Sequence, residues 1–76
     1  MAVLNEVIEL TGTIVKQLTA RKYLVRIDSP EFKDALMEVD QSGASYYNGI
    51  LLYKGQKVAV DYRRSQPEKS LITYRL

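Results

Sequence analysis

Ile8-Glu9-Leu10-Thr11-Gly12-Thr13-Ile14-Val15 decides how this chain is read. Ile8, Leu10, Gly12 and Ile14 fall on one face of an extended backbone, and Glu9, Thr11 and Thr13 on the other. Successive side chains of a strand point to opposite sides, so this alternation marks a half-buried strand, expected over residues 6–18. Gly12 inside the run predicts a bulge or a sharp bend, which a long first strand needs to serve both sides of a small barrel. Gly12 is therefore read as a barrel corner and not as part of a ligand site.

Moving outward, Thr19-Ala20-Arg21-Lys22 is a polar connection. Tyr23, Val25 and Ile27 then alternate with Lys22, Leu24 and Arg26, which predicts a second strand in a hairpin with the first. Tyr23 shares the face of Val25 and Ile27 and is read as core, not as a base-stacking platform. The opposite face, with Lys22 and Arg26, is the better candidate for nucleic acid.

Residues 29–39 are open to two readings. Ser29-Pro30-Glu31 is a good helix start, and Phe32, Ala35, Leu36 and Val39 keep helical spacing. Leu36–Asp40 equally suits a third strand running into Gln41-Ser42-Gly43. We expect a helical turn or loop at 29–34 and a strand at about 36–40. Ser42–Gly49 is rich in turn residues and holds the pair Tyr46-Tyr47; Ile50–Tyr53 is a short apolar run, and Lys54-Gly55-Gln56 a turn. Lys57–Tyr62 points Val58, Val60 and Tyr62 inward as a fourth strand. Arg63–Ser70 is a basic, polar loop, and Leu71–Leu76 is a fifth strand with Ile72, Tyr74 and Leu76 on one face. Short strands at close spacing predict an all-β fold, a five-stranded OB-fold barrel with a short helix or loop between strands 3 and 4.

Seventy-six residues make one domain with a small core. A hydrophobic fraction of 46% and a charged fraction of 26% belong to a folded globular chain, not a disordered one. The chain has no cysteine and no histidine, which removes disulfides, thiolate metal sites, a thiol nucleophile and the usual general base. Acidic residues are scattered, and no spacing pairs a nucleophile with a base. No catalytic role, metal or cofactor is expected. Met1–Glu6 lacks the basic start and long apolar run of a signal peptide, and no stretch is apolar enough to span a bilayer. A cytoplasmic protein without a membrane partner is expected. The net charge of +2 is uneven: residues 1–40 hold five basic and seven acidic side chains, residues 41–76 six and two. A polyanion would be drawn to the C-terminal half.

The ordered pattern resembles bacterial-type translation initiation factor one, a divergent S1-like member, over residues 8–76. That family begins with an Ile-Glu-x-x-Gly-x-Val-type strand, matched by Ile8–Ile14, and continues with an aromatic-x-Val-x-Leu strand, echoed by Tyr23-Leu24-Val25-Arg26-Ile27. Its mid-loop opens with Ser-Gly, its fourth strand follows a Gly-Asp-x-Val turn, and its end reads Gly-Arg-Ile-x-Phe/Tyr-Arg. Here these stand as Ser42-Gly43, Gly55-Gln56-Lys57-Val58 and Ile72-Thr73-Tyr74-Arg75. The resemblance implies an OB fold and a non-catalytic role in protein biosynthesis, with binding to RNA of the small ribosomal subunit.

Departures from the pattern fall on its contact residues. The family's mid-loop, of the type Ser-Gly-Lys-x-Arg-Lys-Asn-Tyr-Ile-Arg, supplies cations to ribosomal RNA phosphates. This chain has Ala44, Tyr46, Tyr47 and Leu51 at the four basic positions, and only Asn48 and Arg75 persist as polar carry-overs. Each lost phosphate contact lowers the logarithmic salt slope by about 0.7–0.9, so four would weaken RNA binding by orders of magnitude. Arg21, Lys22, Arg26, Lys54, Lys57, Arg63, Arg64 and Lys69 offer a replacement surface, against the plainer reading that they are a solvated face. The expected RNA site is Lys22, Arg26, Arg63, Arg64, Lys69 and Arg75 on phosphates, Tyr46 or Tyr47 stacked on a base, and Asn48 as a hydrogen-bonding partner. The alternative is an OB module turned to protein interaction or self-association through Tyr46–Leu51, an aromatic and apolar stretch suited to an interface. A general single-strand binder of the cold-shock type ranks below both, because Tyr23, Tyr62 and Tyr74 follow the core alternation.

Overall fold

In a computed structural model that describes residues 7–76, β1 (Val7–Gln17) serves two partners in turn. Over Gly12–Gln17 it pairs antiparallel with β2 (Lys22–Ile27), and over Val7–Thr13 with β4 (Lys57–Arg63). β3 (Leu36–Gln41) continues from β2, and β5 (Leu71–Arg75) closes the ring between β3 and β4. The result is a closed five-stranded barrel in the order β1-β2-β3-β5-β4. A short helix, α1 (Gly43–Tyr47), stands between β3 and β4, and a 3-10 turn at Pro67–Lys69 precedes β5. The expected all-β barrel is present. The readings of Met1–Glu6 as free of a leader, and of residue 6 as the strand's start, lie outside the described residues.

The alternation in β1 is realised: Leu10, Gly12 and Ile14 are buried, while Glu9 and Thr11 are exposed. The core joins Leu10 and Ile14 to Tyr23, Val25, Ile27, Val39, Leu52, Val58, Val60 and Ile72. Gly12 marks a close approach and not the bulge. A Cβ there would lie 2.5 Å from Val25 Cγ1 and 2.9 Å from the Arg26 carbonyl oxygen. The register shift falls later, between Ile14 and Lys16, inside the ladder to β2 and past Thr13, the last residue paired with β4.

Thr13, expected on the polar face, is buried because a polar cluster closes over it. Its hydroxyl donates to Asp28 Oδ2 at 2.6 Å and accepts from Lys57 Nζ at 2.9 Å. Lys57 also meets Asp28 at 3.1 Å, and Arg26 lies 3.9 Å from it. These contacts clip β1, β4 and the end of β2 together.

Residues 31–34 form a turn and Leu36–Gln41 a strand, as expected. The helical alternative fails where the backbone turns left-handed, at Phe32 (φ 63°) and Asp34 (φ 67°). Phe32 is held there by its ring contact with Tyr62, at 5.2 Å between centroids, and by its carbonyl, which accepts from the Ala35 N–H at 2.9 Å.

The fifth strand corrects the expected alternation. Ile72 pairs with Val60, but Tyr74 pairs with Ala59, so one extra residue, Thr73, is accommodated in β5. That bulge turns Tyr74 to the outside, where its hydroxyl reaches across β4 to donate to Glu9 Oε2 at 3.0 Å. Tyr74 and Leu76 are exposed, not core, and Ala59 beneath them is buried.

Candidate nucleic-acid interface

The short helix is set by its flanks rather than by helix propensity. Ser42 caps it, its hydroxyl accepting from the Ser45 N–H at 3.2 Å, and Gly49 (φ 72°) supplies the left-handed exit. Gln41 anchors it from below. This side chain is buried at the end of β3, and its Nε2 donates at 2.9 Å both to the Ser45 hydroxyl and to the Ile50 carbonyl. One amide therefore fixes the start of α1 and the chain that leaves it.

Arg21, in the β1–β2 turn, completes the mount. Its Nη2 donates to the Gln41 carbonyl at 3.1 Å, and its guanidinium carbon lies 5.1 Å from the centre of the Tyr46 ring. Tyr46 in turn meets Tyr47 edge-on at 5.4 Å between centroids. Tyr47 is 80% exposed, the most open large apolar residue described. Leu51 and Tyr53 are also exposed nearby. Gln17, Ala20, Tyr23, Tyr46, Leu51 and Tyr53 line a cleft of about 370 Å³ with no carboxylate in its walls. A second cleft of about 350 Å³, on the β5 side of the helix, is lined by Ala44, Asn48, Ile50, Thr73, Tyr74 and Arg75.

The nine sequence-derived site residues fall into three groups. Tyr46, Tyr47, Asn48 and Arg75 gather around α1, with Asn48 and Arg75 sharing the second cleft. Lys22 and Arg26 stand on the outer face of β2, but each has an acidic neighbour: Lys22 lies 3.8 Å from Asp40, and Arg26 next to Asp28. Leu24 between them pairs with Glu38. That face is mixed in charge, not basic. Arg63, Arg64 and Lys69 stand at the β4–β5 connection, at the other end of β4. Val58, the partner of Arg75, lies five residues before Arg63, or about 17 Å along the strand. Arg64 donates to Glu31 at 2.9 Å, whereas Arg63 and Lys69 have no ion pair among the described residues.

Sequence reading did not assign a role to Gln41. Its signal was present: Met37, Val39 and Gln41 alternate inward on β3, and an inward amide just before a helix cap needs partners that only the cap and its exit can supply. Arg21 was counted among the cations without its stacking role. Asp28 is held below its ordinary carboxyl value among the described residues; the Thr13 hydroxyl is the main cause, burial opposes it, and Lys57 and Arg26 add smaller lowering effects.

Among the described residues no group of His, Cys, Asp or Glu is placed to hold a metal ion, and no helix is long and apolar enough to cross a membrane. The chain matches no protein-family model and no curated protein.

Proposed function

We propose that this chain is a non-catalytic RNA-binding protein of the type its sequence resembles, translation initiation factor one, and that it docks on small-subunit ribosomal RNA with the α1 end of the barrel. The observation that carries this reading is the mounting of Tyr46 and Tyr47. Gln41 anchors α1 and Arg21 lies over the Tyr46 ring, and Tyr47 projects edge-on beside Tyr46, at the position where the family pattern carries its basic mid-loop. A stacked base gains about 1–3 kcal/mol, so one or two bases offset a substantial part of the lost phosphate contacts. Asn48 and Arg75 supply the polar contacts beside the platform, and the carboxylate-free cleft presents no repulsion to phosphate. Arg63 and Lys69 add cations at a second point of the barrel. Saturable co-sedimentation of the purified chain with small ribosomal subunits at low salt tests this reading. A folded chain that stays in the supernatant while the small subunits pellet, and that ignores RNA at low salt, overturns it.

A protein partner at the same surface is the second reading, favoured by one observation: Leu51 and Tyr53, which share a cleft with Tyr46, are 59% and 56% exposed. Contiguous apolar surface of this kind marks interfaces. Light scattering distinguishes the two. Concentration-dependent self-association abolished by Leu51→Glu supports the second reading; a monomer at all concentrations removes self-association from it.

A further inference from the structure

β5 covers the outer edge of β3 only in part. The two strands run parallel and pair only at Asp40 with Leu71 and Gln41 with Ile72. On its other side β3 pairs with β2 along Leu36–Asp40. The Gln41 N–H donates to Arg21, and the Ala35 carbonyl accepts from Ile27, so odd-numbered residues direct their backbone groups at β2. Even-numbered residues direct theirs at the opposite edge. Asp40 meets β5 there, while Leu36 and Glu38 have no ladder partner on that edge among the described residues.

Next to this open edge is a cleft of about 350 Å³. Its apolar walls are Met37, Val39, Tyr62 and Pro67; its charged members are Glu38 and Glu68, with no cation in the lining. Leu36, at the start of the same edge, is 60% exposed. Unpaired strand groups, a side-chain-sized apolar cleft and a carboxylate rim occur together. An open edge recruits another extended chain, because added backbone hydrogen bonds give affinity and side-chain pockets give specificity.

We propose that this seam binds an extended peptide segment of alternating apolar and basic residues. The segment adds as a short strand along Leu36–Glu38, places one apolar side chain between Met37, Tyr62 and Pro67, and sets its cations against Glu38 and Glu68. The two carboxylates disfavour a nucleic acid at the same place. The seam therefore gives the molecule a protein contact separate from the α1 platform.

The test titrates the full ¹⁵N-labelled chain with a blocked heptapeptide, Lys-Val-Lys-Leu-Lys-Val-Lys. The expected result is chemical-shift change and slowed hydrogen exchange at the Leu36 and Glu38 amides. The analogue with Glu for every Lys binds at least about tenfold more weakly, and Glu38→Lys with Glu68→Lys reverses that preference; both residues are exposed, so the fold tolerates the change. An N-methylated version of the peptide, unable to donate along one edge, also binds at least about tenfold more weakly. Absence of binding, equal binding of the acidic and basic peptides, or undiminished binding of the N-methylated one overturns the proposal. So do shifts confined to the Tyr46–Tyr53 region, or an oligouridine that perturbs Leu36 and Glu38 as the peptide does.

Discussion

Arg21 and Gln41 grip each other twice: the Gln41 N–H donates to the Arg21 carbonyl at 2.7 Å, and Arg21 Nη2 donates to the Gln41 carbonyl at 3.1 Å. The β1–β2 turn and the base of α1 are thereby one unit. Whatever docks on Tyr46 meets a ring already backed by Arg21 on a fixed helix base, so little ordering entropy is lost there on binding.

Removing the buried amide should loosen that unit. Gln41→Ala leaves the Ser45 hydroxyl and the Ile50 carbonyl without their donor, at an expected cost of about 2–3 kcal/mol in urea unfolding. Hydrogen exchange should quicken at Ser45–Asn48 by more than the global destabilisation explains. Equal acceleration throughout the barrel would contradict the anchoring role.

A methyl group at Gly12 has nowhere to go. Gly12→Ala should cost about 1–3 kcal/mol, because its Cβ would meet both Val25 and the Arg26 backbone. Adding Val25→Ala relieves only the side-chain clash. A double-mutant cycle in thermal or urea unfolding should therefore show partial compensation, whereas full additivity would mean that the two residues do not collide.

The Asp28 cluster gives the fold an acid limb. The Asp28 carboxyl titrates below 3.8 in the folded chain and near that value when unfolded. The unfolded state thus takes the proton first. The stabilisation is complete above about pH 5 and fades as pH falls through the lower, folded value. Asp28→Asn should flatten stability against pH in this acid range and leave the neutral-to-alkaline profile parallel to the parent's. An unchanged acid limb would place the responsible carboxyl elsewhere.

Stacking and charge can be separated by salt. Tyr47→Ala should weaken RNA binding about 5- to 150-fold with the slope against salt unchanged, and without loss of stability, since the ring is largely exposed. Arg63→Ala with Arg64→Ala should do the opposite and flatten the slope by about 0.7–0.9 for each phosphate contact removed. An unchanged slope in the double variant takes that pair out of the site.

Most of the barrel was legible because its strands obey simple alternation. β1 and β2 each bury one face of apolar residues, as β4 does with Val58 and Val60; Ala59, expected outward, is buried opposite them where it pairs with Tyr74. Leu36–Gln41 was legible only in part, since Ser29-Pro30-Glu31 is a genuine helix start, and the left-handed backbone at Phe32 that defeats it is not signalled by residue type. Tyr74 was misread because one accommodated residue, Thr73, inverts the alternation, and a bulge of that kind depends on pairing with β4 rather than on the strand's own sequence. The site was harder still. Sequence counts Lys22 and Arg26 as cations but does not reveal that Asp40 and Asp28 stand beside them, because the first of those pairs is made between strands.

The central claim is that this barrel shares the ribosomal site of the family it resembles. Co-sedimentation with purified small subunits across a salt series, with an authentic initiation factor one as competitor, addresses that claim most directly. The account predicts saturable binding that the competitor displaces and that Tyr47→Ala weakens at every salt concentration. Binding that persists unchanged under excess competitor, or no binding by the folded chain at low salt, would contradict it.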